Sequence, residues 1–148
     1  SILFFLQKEL SKKDLCLFIS IQITAAILGT IFANYIFSLS IVEISSNIRS
    51  GTNIYISEVF ASFGLLMVIL LSKVGGKNIV AFNVGIYITA AIIFTSSASF
   101  ANHAVSIARI FTESFAGINP STVIFFIGSQ VIGMFGAYFL YNRLFKTK

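Results

Sequence analysis

The stretch SFANHAVSIAR, residues 99–109, lies between two long apolar runs. It nevertheless carries the chain's single histidine, His103, together with Asn102 and Arg109. Polar groups are costly inside a bilayer and mark functional positions there. What the stretch means therefore depends on what flanks it.

Its flanks are windows of mostly apolar residues, close to the ~20 that a helix needs to cross a bilayer. Four such windows occur, at residues 15–37, 54–71, 78–95 and 123–145. The middle two are short, which tilt or local thinning of the bilayer accommodates. Of the 148 residues, 57 % are hydrophobic and only 10 % charged, where a soluble domain carries about a quarter charged. Alternation with a period of two is absent, and Ala, Leu, Met and Gly are mixed through the runs. That pattern predicts an all-α membrane protein resident in the lipid bilayer, not a β-barrel.

The net charge of +5 is explained by where the charges fall. Lys8, Lys12 and Lys13 precede the first span, Lys73 and Lys77 separate the second from the third, and Arg143, Lys146 and Lys148 end the chain. Only Arg49 and Arg109 lie in the other two connections. Basic residues thus fall in alternate connections, as the positive-inside rule requires. The N-terminal segment, the SKVGGK turn and the C-terminus are expected on the cytoplasmic side. The loops around Ser45 and Ala101 are expected outside. This charge sets topology, and no nucleic-acid partner is implied. The lone Cys16 excludes an internal disulfide and a cysteine metal cluster, and one His offers no nucleophile–base set, so an enzyme is not expected. The opening SILFFLQKEL has too short an apolar stretch for a cleavable signal. The chain starts with Ser, which is expected of a processed or incomplete product.

An internal repeat is legible. Residues 18–22, FISIQ, are echoed by residues 126–130, FIGSQ, and Asn34 is echoed by Asn142 at the same offset from Gln22 and Gln130. Ala25 and Gly29 align with Gly133 and Ala137, in the small-xxx-small spacing that lets helices approach closely in lipid. The first copy runs outward and the last inward, so the two are inverted repeats, an architecture of channels and transporters. A three-span unit ending at Phe145 would have a counterpart ending near Phe37, whose first two spans are expected upstream of Ser1.

Residues 95–121 are too few and too polar to cross twice, and the charge pattern returns the chain to the side it left. A re-entrant loop and half-helix over residues 99–116 satisfies this, provided its backbone is buried or lines a wet cavity. Asn102 suits an N-cap, residues 105–115 can form about three turns, and Gly117 with Asn119-Pro120 ends that helix and starts the next. The N-terminus of such a half-helix presents free N–H groups and a positive dipole end.

SFANHAVSIARIFTESFAGINP resembles the second half-helix motif of the aquaporin (major intrinsic protein) family, Asn-Pro-Ala followed by a short helix, in a bacterial variant with Val after the motif. SEVFASFG, residues 57–64, resembles the start of that family's fourth span. The resemblance covers nearly the whole chain and implies an aquaporin-like inverted-repeat helical bundle, incomplete, with the family's third to sixth spans. Residues 1–10 would be the tail of the first half-helix. It further implies a bacterial inner (plasma) membrane and tetramers, or completion by another chain.

On this resemblance Asn102 matches the asparagine that donates to permeating water, and Ala104 the alanine. His103 stands where proline is usual. Two readings are open for it: an ordinary first helical residue, or a pH-responsive gate that the positive helix end disfavours. Val105 replaces the usual filter arginine. Arg109, one turn further on, either supplies charge to the outer vestibule or snorkels and pairs with Glu113. Ala90 and Ser99 match other filter positions by spacing. Glu58 resembles the family's glutamate that braces re-entrant backbone, and otherwise reads as an interfacial carboxylate at a helix start. Gln22 and Gln130 would satisfy half-helix backbone or link helices. The function implied is a passive channel for water or small uncharged solutes, glycerol-like molecules and metalloid hydroxides included, with no cofactor. A secondary transporter is the alternative, with Glu58 and Arg109 as its scant ionisable pair.

Overall fold

The computed structural model describes residues 1–145; Lys146 and Lys148 of the expected basic tail lie outside the described residues. Six helices follow in order: α1 (Ile2–Leu6), α2 (Lys12–Ile36), α3 (Thr52–Ser72), α4 (Lys77–Phe94), α5 (His103–Ala108) and α6 (Pro120–Phe145). Short 3-10 turns continue α3 at Lys73–Gly75 and α5 at Arg109–Phe111. No strand occurs among the described residues. Among the described residues four helices are long and apolar enough to cross a membrane: α2, α3 with its 3-10 extension, α4 and α6. Large apolar side chains lie exposed along them, Phe32, Phe60, Phe82 and Phe139 each at 64 % or more. Lipid, which is itself apolar, removes the penalty for such exposure. The chain is an all-α, multi-pass membrane protein.

The chain forms two compact units. One comprises Ser1–Arg49 and His103–Ile124. Here Ser11 caps α2, its Oγ accepting from the Asp14 amide at 3.1 Å, so the helix begins three residues before the apolar window does. Gln22 Nε2 donates to the Ser1 hydroxyl at the start of α1 (2.8 Å). α5 packs on α2. The half-helix covers residues 103–111 and not the expected 105–115. Thr112 turns extended, at φ −142° and ψ 122°. Ser114 then takes the Ala116 amide on its hydroxyl (3.2 Å) and the Gly117 amide on its carbonyl (2.8 Å), a serine turn that competes with further helix. Asn119 Oδ1 accepts from the Ser121 amide (3.0 Å), capping α6 with Pro120 as its first residue.

The other unit comprises Ser50–Asn102 and the chain from Phe125 on. α3 and α4 join at a turn where Gly76 takes φ +85°, a conformation glycine adopts at no steric cost. The Tyr87 hydroxyl donates to the Ala61 carbonyl (2.9 Å), and its ring lies over Gly64, where a Cβ would collide with it. α6 approaches α3 through Gly133, whose missing side chain leaves room for the Val59 carbonyl. Ala61, Phe126 and Ala137 are fully buried. The repeat is therefore used unequally. Gly133 is packed closely, whereas its mate Gly29 has nothing within 4 Å of where a Cβ would stand.

Candidate functional site

The segment before α5 is strained. Ala98, Ser99 and Ala101 all take left-handed φ, at 58°, 44° and 46°, which costs a non-glycine residue about 1–3 kcal/mol each. Strain of this size persists only where surrounding contacts over-determine the backbone. The serines and one glutamate supply those contacts. The Ser97 amide donates to Ser57 Oγ (3.4 Å) and the Ser99 amide to Ser97 Oγ (3.2 Å). Glu58, fully buried on α3, accepts from the Phe100 amide on Oε2 (3.3 Å) and from the Ala101 amide on Oε1 (2.5 Å). Gln130 Nε2 on α6 donates to the same Oε1 (2.8 Å). These three donors are uncharged N–H groups, which suits a carboxylate's acceptor-only chemistry. The Ser99 hydroxyl is buried with no hydrogen-bond partner among the described residues.

Beyond this turn, Asn102 is exposed and immediately precedes α5. His103 opens α5 half-buried, with Nε2 buried and unpartnered among the described residues. Ala104 is buried, at 5 % exposure.

Val105 and Arg109 lie one turn apart and line one cavity of about 670 Å³. Its opposite wall is the small-residue face of α2: Ala26, Gly29, Thr30, Ala33 and Asn34. Ala108 and Thr112 complete the near side, and Ser114, Phe115 and Ala116 form a rim. The walls are mostly small and apolar, and the charged group among the lining residues is the Arg109 guanidinium. Its Nη1 donates to the Ala116 carbonyl (3.2 Å). Glu113, four residues on, accepts from the Ser46 amide (2.6 Å) and the Ser46 hydroxyl (2.5 Å). Those two bonds, the hydroxyl first, hold the Glu113 carboxyl below the usual carboxylate range.

The predicted site residues thus divide. Val105 and Arg109 share the cavity. Ser99, Asn102 and Glu58 belong to the strained turn and its brace. Ala90 lies on an exposed face of α4 with Phe82, Ile86 and Thr89, beside a shallow depression. Sequence reasoning missed Ser57, and it missed Ser97, which the serine-rich TSSAS run could have flagged. It also missed Asn34, noticed only as the repeat mate of Asn142. Asn34 is 2 % exposed, and its Nδ2 donates to the Ile41 carbonyl (3.1 Å) and the Phe111 carbonyl (2.9 Å). It thereby ties the end of α2 to the tail of the half-helix.

Long apolar helices, with a turn braced on a buried carboxylate in one unit and a short helix beside a cavity in the other, define an α-helical membrane protein. Comparison with known proteins gives the family. Over 133 residues the chain is 38 % identical to Aquaglyceroporin AqpS of Rhizobium meliloti (strain 1021), covering 90 % of this chain and 57 % of that protein. The chain belongs to the aquaporin (major intrinsic protein) family. It spans little more than half the length of that relative. No family model and no solved structure matches it.

Proposed function

We infer that the chain forms part of a passive transmembrane channel for water or small uncharged solutes, glycerol-like molecules and metalloid hydroxides among them. The observation that carries this reading is the cavity. Small apolar side chains face a single guanidinium in it, and by the family resemblance Val105 stands where a filter arginine is usual. Such a wall offers hydroxyl-bearing neutral solutes both apolar contact and a hydrogen-bond donor, and it repels cations. The relative's description as an aquaglyceroporin supports the same solute class. In this reading α5 is re-entrant, and its N-terminal end, with Asn102 beside it, presents donors to the permeating molecule. His103 is an ordinary first helical residue. The protein sits in a bacterial inner membrane with its C-terminus cytoplasmic.

The open face at Gly29 supports a further point. Its mate Gly133 is packed against α3, so a helical segment seated on α2 would complete the wall opposite Val105. That segment would come from the same gene product or from a complementing chain, within a monomer or a homotetramer. Stopped-flow light scattering on proteoliposomes holding the complete gene product tests the function. Water and glycerol fluxes linear in their gradients and indifferent to ion gradients are expected. Flux that saturates at low solute concentration and needs an ion gradient would overturn the channel reading.

A further inference from the structure

We propose that Arg49, on the connection after α2, is a positioning residue that sets solute selectivity by clamping the rim of the Val105–Arg109 cavity. The charge pattern gives Arg49 no topological work, since it lies in an outward connection where basic residues are disfavoured. Its contacts supply a different reason for an arginine. Arg49 Nε donates to the Gly117 carbonyl (2.8 Å) and Nη2 to the Phe115 carbonyl (2.5 Å). The carbonyl between them, on Ala116, is taken by Arg109. Three consecutive carbonyls of one turn are thus held by two guanidinium groups.

Arg49 also lies 5.9 Å from the centroid of the Phe115 ring, within the range of a cation–π contact. That ring is 85 % exposed, so burial does not hold it in place. Phe115, Ala116 and Arg109 all line the cavity, and Arg49 does not. Its influence therefore passes through the turn. The clamp is built on a close backbone match. The Ser45 amide donates to the Ile110 carbonyl (2.9 Å) and the Asn119 amide to the Asn47 carbonyl (2.8 Å). A Cβ on Gly117 would collide with Ser45 Oγ and the Thr112 carbonyl. A planar fork with several fixed donors can span two carbonyls, and a single ammonium on a flexible stem cannot hold both in one geometry. With the fork removed, the turn relaxes and the Ala116 carbonyl no longer fixes Arg109 beside Val105.

The selectivity half of this inference rests on the channel reading, and the positioning half does not. The complete gene product is prepared with Arg49→Met, Arg49→Lys, Arg109→Met, Phe115→Ala and the Arg49→Met/Arg109→Met pair. Hydrogen exchange of residues 112–118 is measured in detergent, and the glycerol-to-water permeability ratio in proteoliposomes. Exchange at Ala116 and Gly117 is expected to rise at least tenfold in Arg49→Met and nearly as much in Arg49→Lys. Unchanged exchange in either would overturn the positioning role. The permeability ratio is expected to shift at least threefold in Arg49→Met, with no rescue by Lys, and to be the same in the double variant as in Arg109→Met. An unchanged ratio, or effects of Arg49 and Arg109 that simply multiply, would overturn the coupling to selectivity. If Arg49→Met does not fold, Arg49→Lys and Phe115→Ala carry the same expectations. Wild-type vesicles no more permeable than bare ones would defeat the channel reading and the selectivity half with it, and the exchange data would still decide the positioning half.

Discussion

The Glu58 carboxylate accepts a hydrogen bond from the backbone amide of Ala101 across 43 residues of sequence, while Ala101 itself sits in the left-handed region. A strained backbone and a buried carboxylate stabilise each other here. The carboxylate needs N–H donors to lie buried, and the turn needs acceptors on one side to hold its conformation.

Glu58→Gln replaces one carboxylate oxygen by an amide nitrogen, which sets a donor against a donor at either Ala101 or Phe100. A buried N–H left unmade costs about 1–3 kcal/mol. The expected outcome is a lower thermal midpoint in detergent for Glu58→Gln and a larger loss for Glu58→Ala, which abandons both amides and Gln130. A Glu58→Gln protein as stable as the wild type would show that the amides are satisfied another way.

Gly133 and Gly29 occupy equivalent repeat positions with opposite surroundings. Gly133→Ala drives a Cβ into the Val59 carbonyl, which belongs to backbone and cannot swing aside, so a loss of about 1–3 kcal/mol is expected. Gly29→Ala meets nothing and is expected to leave stability within about 0.5 kcal/mol of wild type, as for substitutions away from packed features. If a helical segment covers α2, Gly29→Leu will lower the yield of assembled protein on size-exclusion chromatography. Unimpaired assembly with Leu at this position would argue that the face stays bare.

Val105→Arg would place a second guanidinium one turn from Arg109, in a wall now lined by small side chains. Glycerol flux is expected to fall about tenfold or more, equivalent to ~1.4 kcal/mol added to the barrier, with water flux changed less. Equal reduction of both fluxes would indicate a blocked pore with no change in selectivity, and no change would remove Val105 from the solute path.

Glu113 joins the connection after α2 to the one after α5 through Ser46, and its carboxyl is held below the usual range by those hydrogen bonds. A lowered folded-state value means the contact contributes at every pH above the ordinary carboxylate value. It is lost only as pH falls below that value and through the depressed one. The Ser46 amide resonance is expected to be flat from neutral pH down to the ordinary carboxylate range and to move below it. A midpoint at or above the ordinary glutamate value would contradict the clasp.

Much of this protein is legible in its residues taken in order. Apolar length marks the four spans, since a bilayer imposes the same requirement on every helix that crosses it. The run from Ser99 to Arg109 carries the family resemblance. Helix ends were legible where a side chain caps its own neighbourhood, as at Asn119-Pro120. The half-helix ended early because a serine turn at Ser114 competed with it, a local preference that apolar spacing does not report. Tertiary structure alone decided the rest. It brought Asn34 to the Phe111 carbonyl 77 residues away and Arg49 to the Gly117 carbonyl 68 residues away. The groups received in these contacts are backbone carbonyls, which every residue type presents in nearly the same form. Spacing and composition do not announce which of them a distant asparagine or arginine will meet. Only the folded backbone brings the two together.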